Sequence, residues 1–200
     1  MEVSSHGGGA CFCLWWTHGW MGDVNNSPLL VVGLGNPGPK YVGTRHNIGF
    51  EVAEELVSRS FGSFSVHKRS NTDIAQLPGL IVAKPRSFMN LSGTPIRALC
   101  DFFKISPANV IVVHDELELD FGSVKLRQGG GDHGHNGLKS TSKSLGTKDY
   151  WKLSMGIGRP PGRMDPASFV LKPFGKQELA DIPIMAADAA DLVEKHLQQG

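Results

Sequence analysis
The chain is poor in cysteine and, over its first fifth, in positive charge. Of its 200 residues three are cysteines: Cys11, Cys13 and Cys100. So low and odd a count argues against a disulfide framework. Cys11-Phe-Cys13 lacks the spacing of a structural zinc site. Cys100 falls on the apolar side of an expected helix, the place of a small core residue. No Lys or Arg precedes Lys40, so a basic secretory signal and an arginine-bearing transit peptide are both missing. No apolar run approaches the length of a transmembrane helix. There is no G-x-S-x-G elbow and no H-E-x-x-H pair, which removes two common routes to hydrolysis.

What is present begins after the start of the chain. Residues 1–28 hold Gly7-Gly8-Gly9 and three tryptophans between Cys11 and Trp20. They are expected to form a loosely ordered leader outside the domain. Residues 29–200 are long enough for one sizeable core. Net charge is near +1, but the layout is uneven. Phe121 to Arg163 carries eight Lys/Arg against two Asp, whereas Gly175 to the end carries two Lys against five Asp/Glu. Such a layout suits one cationic face, for which phosphate is a natural partner.

Apolar runs at Leu29–Leu34, Leu80–Ala83 and Val110–Val113 read as buried strands. Phe64–Val66 and Asp73–Leu77 read as a hairpin, and Val124–Arg127 and Lys152–Ile157 as further strands. Helices are expected over Asn47–Ser60, from a cap at Thr94 to Lys104, over Asn136–Leu145, and over Lys176–Gln198 with a break at Pro183. In the first of these, Phe50, Ala53, Glu54 and Val57 fall at helical spacing. This alternation predicts a single α/β domain with a mixed, mostly parallel sheet and helices on both faces.

Gly33-Leu34-Gly35-Asn36-Pro37-Gly38 matches the dinucleotide fingerprint after a strand. Pro37 and Pro39 remove amide donors that a pyrophosphate would need, and the helix starts too late. The stretch therefore reads as a tight polar turn, and it leads to His46. Asp115 lies directly after the most apolar strand, at its carboxyl end, where open α/β sheets present functional groups. A carboxylate bonded to one imidazole nitrogen leaves the other free to take a proton. With no nucleophile in view, a His46–Asp115 pair points to general-base activation of water. His114, adjacent, is expected to be structural. Asn36, Asn90 and Asn136 each follow a strand or open a helix, and their amides suit a substrate rich in carbonyls. His133 and His135, in a glycine loop, make a poor metal frame.

Five segments together carry a specific resemblance: VVGLGNPGPKYVGTRHNIGF, KPRSFMNLSG, VIVVHDELELDFGSVKLRQGGG, GHNGLKS and GIGRPPGRMDPASFVL. In this order, from about Leu29 onward, the chain resembles bacterial-type peptidyl-tRNA hydrolase. The resemblance implies cleavage of the ester joining a peptide to the 3′ ribose of tRNA, without metal or cofactor, by a cytoplasmic monomer. It casts His46 as general base and Asp115 as its support. Asn36 would sense the blocked amino group, and Tyr41 and Phe88 would contact the 3′ end. Asn90 and Asn136 would bind substrate and position the water or the oxyanion, and Met89 and His135 would line the cleft. Arg127 would fill one place of a two-residue phosphate clamp. Ser154 stands at the second place, so either tRNA affinity is weaker than usual or Lys152 substitutes. His133 replaces a common glycine before His135 and is expected to alter the cleft rim, and the chain is expected to stop short of the family's usual C-terminal tail. A non-catalytic RNA-binding module and a nucleotide-cofactor enzyme are the competing readings.

Overall fold
The computed structural model describes residues 27–199. The expected leader thus lies almost wholly outside the described residues, as do Cys11 and Cys13. Seven strands and six helices follow one another: β1 (Leu29–Gly33), α1 (Ile48–Arg59), β2 (Ser65–His67), β3 (Thr72–Leu77), β4 (Leu80–Pro85), α2 (Gly93–Phe103), β5 (Val110–Glu116), β6 (Val124–Gln128), α3 (Asn136–Leu145), β7 (Trp151–Gly156), α4 (Pro166–Val170), α5 (Lys176–Leu179) and α6 (Ile182–Gln199). They build one sheet of order β2-β3-β4-β1-β5-β7-β6. β4, β1, β5 and β7 run parallel through its centre, and β2, β3 and β6 close its two sides antiparallel. The expected mixed α/β sheet is what forms.

Successive side chains of a strand face opposite sides, so each central strand feeds two cores. Val31, Val82, Ile111 and Val113 pack with α1 and α6, whereas Leu30, Val32, Ile81, Val110 and Val112 pack with α2 and α3. β5 is buried at all seven positions, as a central parallel strand covered on both faces must be. The near-continuous apolar runs in the sequence have this cause.

Several boundaries differ from expectation. The buried face of α1 is Ile48, Val52, Ala53, Leu56 and Val57, while Glu54 is exposed and Phe50 is half-buried. α2 starts at Gly93 directly out of a 3-10 turn over Met89–Leu91, so Thr94 is not its cap. The last helix breaks at Ala180–Asp181, and Pro183 sits in the first turn of α6, where a missing amide costs nothing. α4 was not expected, although Asp165 caps it by accepting from Ser168 N–H and Pro166 occupies its first position.

β1 and α1 approach unusually closely. A Cβ on Gly33 would lie 2.2 Å from the carbonyl oxygen of Gly49, and one on Gly49 would lie 2.5 Å from the amide nitrogen of Leu34. Likewise a Cβ on Gly35 would meet the Phe50 ring at 2.8 Å. The glycines of this segment therefore serve packing, not phosphate cradling, and they draw the 36–47 loop against the carboxyl end of β5.

Candidate active site
The loop after β1 returns to the sheet through two 3-10 turns, Pro39–Tyr41 and Arg45–Asn47. Asn47 locks the loop: its Oδ1 accepts from Asn36 N–H at 2.9 Å and its Nδ2 donates to Asn36 O at 3.0 Å. Arg45 anchors the second turn from outside. Its guanidinium donates to Pro173 O at 2.7 Å, pairs with Glu178 at 2.5 Å and stacks on Phe169 and Phe174. His46 is thus held between two fixed neighbours, facing the end of β5.

His46 Nδ1 lies 2.8 Å from Asp115 Oδ1, and His135 Nε2 lies 2.9 Å from the same oxygen. The tautomers follow from the remaining partners. His135 caps α3, and its Nδ1 accepts from the amides of Gly137 at 3.1 Å and Leu138 at 3.3 Å. That nitrogen therefore carries no proton, so Nε2 does and donates to Asp115. The ionised carboxylate accepts a second hydrogen bond, from His46 Nδ1–H. This leaves the lone pair of His46 Nε2 without a protein partner among the described residues. Asp115 is almost completely buried. Burial by itself raises a carboxyl pKa, but His135 and then His46 outweigh it and hold Asp115 below the usual carboxylate range.

His114 takes the structural place expected of it. Its Nδ1 donates to Asp115 O at 2.8 Å and its Nε2 accepts from Ser154 Oγ at 3.1 Å. Burial, reinforced by His135, pushes its pKa down to about 3.

These groups open into a cleft of about 680 Å³. Asn36, His46, Phe88, Met89, Asn90, Asp115, His135 and Asn136 all line it, so eight of the nine expected catalytic and substrate-contacting residues converge there. Asn36 is oriented by its Oδ1, which accepts from Met89 N–H at 2.8 Å and leaves Nδ2 turned to the cleft. Asn90 and Asn136 are exposed, with no protein partner for their amides among the described residues. Tyr41 is the exception. It stands beside the cleft with its ring edge-on to Phe88, centroids 6.2 Å apart. His133, which replaces a common glycine before His135, lies on the lining with Gly134; Glu116, Leu117 and, around α4, Asp165–Ala167, Val170 and Leu171 complete it and were missed. Glu116 had a signal in its adjacency to Asp115 at a strand end.

Of the two expected phosphate contacts, Arg127 is half-buried beside the cleft, where its Nη2 lies 3.1 Å from His133 Nε2. Lys152 requires correction. Its side chain is fully buried, and its ammonium donates to Gly130 O at 2.7 Å and Gly131 O at 3.2 Å and pairs with Asp132. Burial lowers its pKa, against the pull of Asp132. Lys152 holds the glycine loop from beneath and cannot reach a ligand phosphate.

His46, Asp115 and His135 are also close enough together to share a metal ion. Their ligand atoms, however, already satisfy one another at hydrogen-bond distances, with protons on the two nitrogens that would have to ligate. The donor set fits a hydrogen-bonded dyad with a second histidine behind it better than a metal site.

Fold and site together define a mixed α/β protein that carries an imidazole–carboxylate dyad in an open, amide-lined cleft. The family model for peptidyl-tRNA hydrolase matches residues 30–200, and the chain belongs to that family. Peptidyl-tRNA hydrolase 1 of Corynebacterium glutamicum is 99% identical over 177 residues, covering 88% of this chain and 100% of that protein. Peptidyl-tRNA hydrolase of Corynebacterium efficiens is 86% identical over 175 residues, covering 88% and 99%. Among solved structures, peptidyl-tRNA hydrolase from Acinetobacter baumannii superposes with a TM-score of 0.81 at 28% identity, covering 89% of this chain and 92% of that one.

Proposed function
We propose that this chain hydrolyses the ester between a peptide, or an N-blocked amino acid, and the 3′ ribose of tRNA, with His46 as the general base. The observation that carries the mechanism is the free Nε2 of His46 in a cleft whose lining residues include no hydroxyl or thiol side chain. None of the residues lining the cleft is Ser, Thr, Cys or Tyr. With no hydroxyl or thiol on the lining to be activated by His46, a water molecule is the attacker this dyad serves. Nε2 takes the water's proton, and the resulting imidazolium is stabilised by Asp115 through Nδ1. The proton then leaves with the ribose hydroxyl. The water oxygen joins the carbonyl carbon as the bond to the ribose oxygen breaks, giving a free peptide acid and tRNA.

The amides divide the remaining work. Asn36, fixed through Met89 and Asn47, offers Nδ2 donors to a peptide carbonyl, which distinguishes a blocked amino group from a free ammonium. Asn90 and Asn136 offer uncharged donors where negative charge develops on the attacked carbonyl. Exposed Phe88, backed by Tyr41, gives a flat surface for the terminal base. Arg127, beside His133 of the cleft lining, supplies a phosphate contact.

We further propose that the enzyme acts as a metal-independent monomer in the cytoplasm. Among the described residues no helix is long and apolar enough to cross a membrane. Turnover of an N-acetylated aminoacyl-tRNA, compared with the free aminoacyl-tRNA and repeated in EDTA, tests reaction, substrate and metal independence together. Cleavage of the blocked ester, unaffected by chelation and far faster than that of the free one, is the expected result. Loss of activity in EDTA, restored by a metal ion, would contradict it.

A further inference from the structure
Among the described residues Lys152 is the only buried lysine, and none of its side chain is exposed. Taking an ammonium out of water is costly, and a methionine would fill the same space without that cost. What the ammonium holds explains its place. Nζ donates to Gly130 O at 2.7 Å and Gly131 O at 3.2 Å, lies 3.5 Å from Asp132 Oδ1, and sits over the Tyr150 ring. These carbonyls belong to residues 129–135, between β6 and α3, a segment with no helix or strand of its own. Gly129, Gly130, His133 and Gly134 all have φ between 44° and 84°. A segment so rich in glycine has little stiffness of its own, so its shape depends on what ties it down.

Two of these ties lead to the dyad. His135 N–H donates to Asp132 O at 2.8 Å, which sets where His135 leaves the loop. Asp132 Oδ1 also accepts from Ser142 Oγ at 2.9 Å, so the same residue joins α3 to Lys152. α3 in turn holds the His135 ring by Nδ1. Both supports of His135 therefore rest on the buried ammonium. Its Nε2 lies 2.9 Å from Asp115 Oδ1, the oxygen that His46 Nδ1 also uses. The outer partner of Asp132 is different. Lys148 pairs with Oδ2 at 3.3 Å but is 60% exposed, and a pair so open to water contributes little.

We propose that Lys152 is a positioning residue for hydrolysis: it fixes the glycine loop and the start of α3 so that His135 keeps its bond to Asp115 and Asp115 keeps its aim on His46. The inference rests on the reading of His46 as the general base. It gives Lys152 a part in kcat and none in substrate contact. Loss of the His135 bond withdraws one of the two donors that keep the carboxylate ionised and oriented. A displacement of about 1 Å at a catalytic group costs about 10²-fold in rate. Arg127, the proposed phosphate contact, lies on β6 and outside the loop, so tRNA affinity is largely spared.

The test compares Lys152→Met, Asp132→Asn and Lys148→Met with the wild type, all in the full chain. Three quantities are read: kcat and KM for an N-acetylated aminoacyl-tRNA, the melting temperature, and the His135 ring by NMR. The wild type should show the Nε2–H of His135 as a slowly exchanging proton, since that side chain is 7% exposed. In Lys152→Met kcat should fall about 10–100-fold with KM much less changed, and the ring proton should exchange faster. Asp132→Asn keeps the shape of the loop and removes its charged partner. It should move the same two quantities less far, and it carries the decision if the methionine variant does not fold. Lys148→Met should match the wild type throughout. The proposal is overturned if Lys152→Met and Asp132→Asn turn over at the wild-type kcat. It is equally overturned if kcat falls only with the folded fraction while the His135 proton is unchanged, which would make Lys152 a stabiliser alone. A raised KM at constant kcat, or an equal loss in Lys148→Met, would also contradict it. In each of these cases the wild type still cleaves the blocked ester and the proposed function stands. A wild type that does not cleave it removes the proposed function instead, while the His135 proton still reports whether Lys152 holds the loop.

Discussion
Replacing Asp115 by asparagine removes the acceptor that two imidazoles share. An asparagine oxygen can still accept, but it cannot stabilise the imidazolium, and its amide group offers donors where His46 and His135 also donate. Hydrolysis should fall roughly 10²–10⁴-fold, the usual worth of general-base catalysis, with little change in tRNA affinity; single-turnover cleavage alongside tRNA binding checks both. A drop in affinity with unchanged cleavage would show Asp115 to be a substrate contact instead. The Asp115–His46 pairing was legible in the sequence because a carboxylate directly after an apolar run has few places to go except the strand's carboxyl end. The part of His135 was not. That it caps α3 through Nδ1, and so must donate from Nε2, is a matter of tautomer and geometry that no motif spells out. Lys152 was misread for a related reason: alternation along β7 sends it under the glycine loop, where two carbonyls and Asp132 claim its ammonium.

Among the elements, the junction of β1 and α1 sets the position of His46 most directly. Gly33 and Gly49 allow backbone to touch backbone there. Gly49→Ala should destabilise the fold by about 1–3 kcal/mol through overpacking, and it should lower activity beyond that loss because His46 moves with the start of α1. Thermal unfolding together with kcat measured well below the melting temperature separates the two effects. An alanine variant of full stability and full activity would contradict the close approach. Strands and long helices were recoverable from periodicity, since their apolar faces are dictated by a two-sided sheet. α4 escaped because five residues give no period to read, although the Asp165-Pro166 start was in view. It matters because it forms a wall of the cleft and packs through Phe169 under the guanidinium of Arg45, the neighbour of His46.

For the whole molecule the clearest consequence is acid lability. His114 is pushed down to about 3 in the fold from an ordinary value of 6.5. Below the ordinary value the unfolded chain binds a proton that the folded one refuses, so stability is lost as pH falls from about 6.5 toward 3. Asp115, held below its ordinary 3.8, acts in the same direction at the lower end of that window. Denaturant midpoints should therefore decline steadily on acidification. His114→Gln should flatten the upper part of the decline, and a midpoint independent of pH across this window would contradict the buried neutral His114. The overall architecture was readable because burial on both faces forces apolar strands and alternating helices. The cleft's far wall and its glycine-loop rim, built from residues distant in sequence, were readable only in part.

The account turns on His46, and one comparison tests it most directly: hydrolysis of an N-acetylated aminoacyl-tRNA by His46→Ala and by the wild type, with tRNA affinity measured on the same preparations. The predicted result is a loss of roughly 10²–10⁴-fold or more in cleavage at nearly unchanged affinity. Full cleavage by the alanine variant would contradict the assignment of His46 as the base.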